Sequence, residues 1–202
     1  MGETAPVIIR QVTTIPEYLA CQDVQRKAFR LTDDTYVVPV ATLVGANLHG
    51  GLVHAAFQEF DGNERLIGFS FAFLGRVKGK LCLYSQITAV DPEIQAGGVG
   101  TSLKTFQREW ARAQGLEVIA WAFDPLQSMN AHLNLNKLGA TVVDYVEDMY
   151  GPRTDGLSKG VPSDRLIVEW PTTLPSRPIS SSPEYAVQPA CTRGASAAAL
   201  AT

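Results

Sequence analysis

The sequence predicts a mixed α/β (α+β) fold, a central and mostly antiparallel sheet with helices on both faces. Three observations predict it. Two strand-like runs, Leu52–Phe60 and Leu66–Leu74, flank Asp61-Gly62-Asn63, a hairpin signal. A third run, Leu81–Val90, leads through Val90-Asp-Pro-Glu-Ile-Gln-Ala-Gly-Gly-Val-Gly-Thr101 into an amphipathic helix. A short apolar run, Val118–Phe123, follows that helix, so strand and helix alternate once the meander is complete.

In chain order, Val7–Val12 reads as a short strand. Thr14-Ile-Pro-Glu17 has the form of a capping box, in which a Thr side chain and a Glu side chain satisfy each other's backbone amides. The helix it opens runs to about Arg30, with Leu19, Val24 and Ala28 among its inner residues and Arg26, Lys27 and Arg30 suited to its negative end. Leu31–Gly51 is broken by Pro39, and Val40–Leu48 reads as a turn or two of helix. A segment of that length with little structure of its own often shapes a cleft. In the hairpin Phe69, Phe71 and Phe73 alternate, which puts them on one sheet face. Gly75–Gly79 is expected to turn the chain into Leu81–Val90.

The helix after the glycines carries Val99, Leu103, Phe106, Trp110 and Ala113 as one apolar stripe. Ser102, Lys104, Gln107, Arg108, Glu109 and Arg112 are expected on its other faces, and Gly115 ends it. Ser128–Leu138 reads as a helix stopped by Gly139. Thr141–Tyr150 and Arg165–Trp170 read as the last strands, separated by the hydrophilic loop Gly151–Asp164. After Pro171 the composition turns to Pro, Ser, Thr and Ala, which reads as a disordered tail over 173–202 behind a domain of residues 5–172.

The 202 residues are 46% hydrophobic and carry a net charge of -3, enough for one sizeable core and against a nucleic-acid partner held by a basic surface. No apolar run is long enough for a membrane span and no secretory leader is visible, so a cytoplasmic protein with no membrane partner is expected. Cys21, Cys82 and Cys191 are odd in number and far apart, with no metal-ligand spacing, so no metal is expected.

The glycine stretch carries the chemistry. Glycine lets the backbone approach a ligand closely. The first amides of a helix lack intrahelical partners and favour negative charge. Gly97, Gly98 and Gly100, set between strand and helix, therefore read as a phosphate cradle. Taken alone, the stretch also fits a dinucleotide site, with Asp124 at the end of the next strand as the ribose-binding acid, although Leu103 stands where the third fingerprint glycine belongs.

Read as an ordered set, Val90-Asp-Pro, Gln95-Ala-Gly-Gly98-Val-Gly100, the helix, the apolar strand and the helix ending Asn136-Lys137-Leu138-Gly139-Ala140 resemble the GNAT superfamily of coenzyme A-dependent acyltransferases. Gln95, Gly98 and Gly100 match its Gln/Arg-x-x-Gly-x-Gly/Ala loop, and the resemblance extends from Leu52 to Trp170. Trp121–Leu126, Asn130–Gly139 and Val161–Leu166 are similar to a subgroup of undefined substrate, part of a broad type associated with N-acylation of amino acids.

The resemblance implies transfer of an acetyl or short acyl group such as succinyl from acyl-CoA to a small-molecule amine. Gln95, Ala96, Gly97, Gly98, Val99, Gly100 and Thr101 would hold the diphosphate, with Ser128 and Asn130 from the second helix. Ala89 and Val90 would lie beside the pantetheine, and a backbone N–H near Val90 would polarise the thioester carbonyl. Tyr84 stands where some members place a catalytic Glu, and it reads as a proton relay or a packing residue. Gln86, expected on Tyr84's face, is a substrate-binding candidate. Asp124 reads as an amine-binding or catalytic carboxylate, or as a turn-former. Arg165 reads as a bidentate grip on a substrate carboxylate, or as one side of a structural salt bridge. His49, His54 and His132 read as satisfied structural or surface histidines. Leu135 occupies the place of the family's thiolate-protonating Tyr, which motivates the alternative of an acyl-CoA-binding or sensing module without turnover. A homodimer stays open.

Overall fold

The computed structural model describes residues 5–94, 97–151, 162–173 and 186–187. Strands β1 (Ile8–Gln11), β2 (Leu52–Phe60), β3 (Asn63–Val77), β4 (Lys80–Val90), β5 (Val118–Phe123), β6 (Thr141–Val146), β7 (Arg165–Pro171) and β8 (Ala186–Val187) form one sheet, in the order β6-β7-β5-β4-β3-β2-β1-β8. The helices are α1 (Ile15–Phe29), α2 (Val40–Leu48), α3 (Val99–Ala113) and α4 (Ser128–Ala131), the last continued by a π-helical turn, His132–Lys137.

β1 to β4 form an antiparallel meander. Its two tight turns are Asp61-Gly62 and Lys78-Gly79, all four residues at positive φ, the pattern whose twist suits a two-residue hairpin. β3 therefore begins at Asn63 and runs through Gly75 to Val77, so the expected Gly75–Gly79 turn shrinks to Lys78-Gly79. The crossover through α3 makes β4 and β5 parallel, and β5, β7 and β6 then pair antiparallel. β6 stops at Val146, short of the expected Tyr150. Ala186–Val187 pair parallel with Ile8–Ile9; the rest of the expected tail from 174 onward lies outside the described residues.

α1 starts with the expected capping box: the Glu17 amide donates to Thr14 Oγ1 and the Thr14 amide donates to Glu17 Oε2. Its buried side is Tyr18, Cys21, Val24 and Gln25. Leu19 is half exposed, since at 100° per residue it lies opposite the arc of Tyr18, Cys21 and Gln25. α1 and α2 cover one sheet face, where Tyr18, Cys21 and Leu43 pack on Val53, Phe57, Phe69, Phe71 and Ile87. α3 and α4 cover the other. Val99, Leu103 and Phe106 pack there on Ile9, Leu52 and Ile67, while Ala111 and Leu138 join Leu83, Ile119, Trp121 and Trp170.

α3 is buried on more than its apolar stripe. Lys104, Gln107, Arg108 and Ala111 are buried as well, and Ala113 is exposed. The helix lies in the angle between the meander and β5–β7, so two sides of it meet the sheet. Its second buried side is polar. Lys104 Nζ donates to Ser85 Oγ at 2.7 Å, Gln107 Nε2 donates to Ser70 Oγ at 3.2 Å, and Arg108 Nε donates to the Pro171 carbonyl at 3.1 Å.

Candidate active site

β4 and β5 separate soon after they meet. Their register holds at Leu83↔Ile119 and Tyr84↔Ala120 and goes no further. Beyond it β5 stays paired with β7 as far as Phe123, and β4 stays paired with β3 as far as Val90. The facing edges of Ser85–Val90 and Trp121–Phe123 are therefore left apart, with backbone polar groups that a guest could satisfy. A β-bulge sits in β4 at the same level: Ile87 faces Phe71 and Ser85 faces Ala72, which leaves Gln86 as the extra residue. The bulge breaks the simple alternation that put Gln86 on Tyr84's face. Ser85 lies on the α3 side, Ile87 joins the α1–α2 core, and Gln86 is exposed.

α3 begins beside this gap without a side-chain cap. Gly98 is its N-cap at φ 95°, a left-handed conformation that L side chains rarely adopt. Ser102 is bonded to the Gly98 carbonyl, so the amides of Val99, Gly100 and Thr101 precede the helical ladder. A Cβ on Gly100 would meet nothing closer than Val90 Cγ2 at 4.0 Å. Gln95 and Ala96, also expected in this loop, lie outside the described residues. Gly97 is exposed.

Asp91 fixes the strand end that leads into the loop. Its carboxylate is buried, accepts from Lys27 at 3.2 Å, Arg65 at 2.6 Å and the Glu93 amide at 3.0 Å, and thereby ties α1 and β3 to the end of β4. Burial alone would raise its pKa; the Glu93 amide and the two cations bring it below the usual carboxylate value.

Gly98, Gly100 and Thr101 of α3 face Ser128, Met129 and Asn130 of α4 and His132, Leu133 and Lys137 of the π-helical turn across a cleft of about 560 Å³. Five of these nine residues were expected from the sequence. Lys137 was missed, although it brings a cation to the cleft that the first residues of α3 also line. The i−5 bond from the Leu138 amide to the Leu133 carbonyl marks the widened turn, a feature frequent at functional sites. His132, expected as a structural or surface histidine, is exposed on the cleft and hydrogen-bonded to Asn136 at 3.1 Å. Val90 packs toward α3, and Ala89 is buried against the α1–α2 core.

The opposite side of the gap is aromatic. Phe71, Phe73 and Tyr84 pack in series as tilted rings at 5.9 and 5.4 Å between centroids, which agrees with the shared face read for Phe71 and Phe73. The Tyr84 hydroxyl is buried and lies within electrostatic reach of Tyr150. Burial first, and Tyr150 second, push its pKa well above the ordinary phenol value. Arg165 is buried beside it, its guanidinium 5.3 Å from the Tyr150 ring centroid and donating to the Asp164 carbonyl at 2.7 Å. Arg165 makes no ion pair among the described residues; the Asp164 carboxylate is bonded instead to the Tyr145 hydroxyl and the Asp148 amide. Asp124 takes the turn-forming role: Oδ1 accepts from the Leu126 amide at 2.9 Å. Leu135 packs its aliphatic chain toward the Trp121 cluster.

No family model matches the sequence, and no curated protein matches it. Solved structures do match. The ribosomal-protein-S18-alanine N-acetyltransferase of Escherichia coli aligns with a TM-score of 0.61 at 16% identity, over 86% of this chain and 98% of the other. yncA of Salmonella typhimurium, solved with its cofactor acetyl-CoA, aligns at 0.64 and 17%, over 87% and 99%. A GNAT family acetyltransferase of Elizabethkingia anophelis with acetyl-CoA bound aligns at 0.56 and 15%, over 82% and 98%. The fold is that of the GNAT acetyltransferases. The dinucleotide expectation fails on the same ground, since it needs a doubly wound parallel sheet and β4–β5 is the single parallel pair built on a helix crossover among the described residues.

Proposed function

We propose that this protein transfers an acetyl or short acyl group from a coenzyme A thioester to the primary amine of a small molecule. The observation that carries this reading is the parting of β4 and β5 beside the uncapped first turn of α3. One element offers amides to a diphosphate and the other a slot for the pantetheine arm. The residues fit such a co-substrate: Gly100 leaves the backbone open, Ser128 and Asn130 add hydrogen-bonding groups, and Lys137 adds charge. Solved neighbours with acetyl-CoA bound support the donor.

The acceptor enters from the aromatic side in this reading. Its amine attacks the thioester carbonyl directly, while free N–H groups of the parted β4 edge stabilise the negative charge that builds on the carbonyl oxygen. Tyr84 stays protonated at neutral pH, so it hydrogen-bonds or relays and does not act as a phenolate base. Arg165, buried without an ion pair among the described residues, supports an acceptor that brings its own carboxylate, such as an amino acid.

Thiol release from acetyl-CoA and succinyl-CoA, assayed with a panel of L- and D-amino acids, simple amines and a short peptide, tests the reading; CoA binding is measured by calorimetry alongside. Acceptor-dependent release with a carboxylate-bearing amine is the expected result. Release with the peptide alone would overturn the small-molecule acceptor. CoA binding with no release for any acceptor would favour an acyl-CoA sensor, and absence of CoA binding would end the reading.

A further inference from the structure

The residue that bridges the two parting strands is a lysine. Ser85 and Trp121 are the first residues past the last β4–β5 register pair, Tyr84↔Ala120. Lys104 touches both: Nζ donates to Ser85 Oγ at 2.7 Å and stands 4.1 Å from the Trp121 ring centroid. It reaches that point from the helix face that lines the cleft, because Gly100 and Thr101 lie four and three residues before it. Leu133 continues the same path, lining the cleft and packing against the cluster that holds Trp121.

Lys104 is 6% exposed and has no carboxylate partner among the described residues. The indole N–H of Trp121, also buried, has no acceptor there. Two buried donor groups thus meet just past the last β4–β5 pair, with no anion beside them among the described residues. Such burial is costly for a fold that gains nothing from it, and an apolar side chain of similar volume would pack more cheaply. Among the described residues, the ionisable groups around Lys104 are few. Arg108 lies one turn along α3 and bonds to Pro171. His54 on β2 donates from Nε2 to the Leu103 carbonyl, 2.9 Å away, and stays neutral. Tyr84 lies on the other face of the sheet. Burial alone draws the Lys104 ammonium down to about 7, so it exchanges its proton readily near neutrality.

Resting on the acyl-transfer reading, we propose that Lys104 is the acid of this site, giving its proton to the departing thiolate. The acceptor nitrogen forms its bond to the acyl carbon, and the C–S bond breaks with its electron pair going to sulfur. A proton passes from Lys104 Nζ to that sulfur, leaving a thiol and a neutral lysine amine. The attacking nitrogen loses its extra proton to solvent, and Lys104 takes one back before the next turnover.

The test compares wild type with Lys104→Met, which keeps the volume and removes the proton. With acetyl-CoA the variant is expected to lose roughly 100-fold or more in kcat, with KM for acetyl-CoA changed by less than about threefold and a melting temperature no lower than wild type. An aryl thioester, whose thiolate leaves without a proton, should lose far less. Wild-type kcat with acetyl-CoA should fall above pH about 7 while the aryl thioester shows no such limb; this profile decides the matter even if the variant does not fold. NMR of ¹⁵N-lysine-labelled, ligand-free wild type should show one ammonium titrating near neutrality.

Equal losses with both thioesters, or a variant that keeps the wild-type kcat and pH limb, would overturn the proposal and leave acyl transfer standing. Acyl-Lys104 found by mass spectrometry without acceptor would also overturn it, since the amine would then be a nucleophile. A wild type that binds no CoA and releases no thiol would sink both readings together.

Discussion

His54 and Lys104 are both bases that the folded chain holds away from water. His54 is fully buried, with its Nε2 at the Leu103 carbonyl and its ring stacked on Phe106 at 4.9 Å; burial lowers its pKa to about 4. Above pH about 6.5 His54 is neutral in both states and contributes nothing to the pH dependence. As pH falls from there toward 4, the unfolded chain takes a proton that the folded one refuses, and stability drops by up to about 3 kcal/mol. Urea unfolding in steps across that window should show the loss, and His54→Gln should flatten it. Lys104 acts in a higher window. Between about pH 10 and 7 the unfolded chain binds the extra proton, so stability rises as pH rises, and Lys104→Met should abolish that slope. Arg165 is tested through the acceptor. A guanidinium paired to a carboxylate contributes about 1.5–3 kcal/mol, so Arg165→Met should raise KM for a carboxylate-bearing amine roughly 10- to 100-fold. It should leave the CoA dissociation constant unchanged.

At the scale of the element, α3 carries two glycines with different duties. Gly98 sits at φ 95°, so Gly98→Ala places a Cβ in a left-handed backbone at a cost of about 1–2 kcal/mol. It should lower the melting temperature whether or not a ligand is present. Gly100 is in ordinary helical surroundings and has room for a methyl group, so Gly100→Ala should leave the melting temperature within a degree or two of wild type. If its backbone faces a diphosphate, the same change should weaken CoA binding in calorimetry by roughly tenfold, and unchanged affinity would remove Gly100 from the cradle. The sequence made α3 legible through its apolar period and its glycines. It did not reveal the polar side of the helix, because Lys104, Gln107 and Arg108 look like a solvated face until the helix is set between β4 and β7. The bulge at Gln86 was equally hidden. A one-residue slip in β4 leaves no mark in the alternation of Leu83, Ser85 and Ile87, and it is the slip that separates Gln86 from Tyr84's pattern. Lys137 entered the cleft through the widened turn before Leu138, which an ideal α-helix read from sequence would not contain.

The whole sheet consists of two paired blocks, β8-β1-β2-β3-β4 and β5-β7-β6, joined along one edge by two register pairs. Its strand order was legible where hairpin turns fix neighbours, as at Asp61-Gly62, and where an apolar strand follows a crossover helix. The width of the gap was not, because it depends on how α3 packs against both blocks. This arrangement makes a prediction for the intact molecule. A molecule bound in the gap replaces missing sheet contacts, so it should stabilise the seam more than either block. With CoA at about 100 times its dissociation constant, folding should gain about 2.7 kcal/mol, which for a domain of this size raises the melting temperature by roughly 5–10 °C. Hydrogen exchange should show where that gain is felt. Amides of Ser85–Val90 and Trp121–Phe123, together with those of Val99–Thr101, should slow on CoA addition, while the hairpin turn at Asp61-Gly62 should not change. Equal slowing across all eight strands would mean that the ligand stabilises the fold from a site elsewhere, and the gap between β4 and β5 would then be a feature of the sheet and not the seat of the pantetheine.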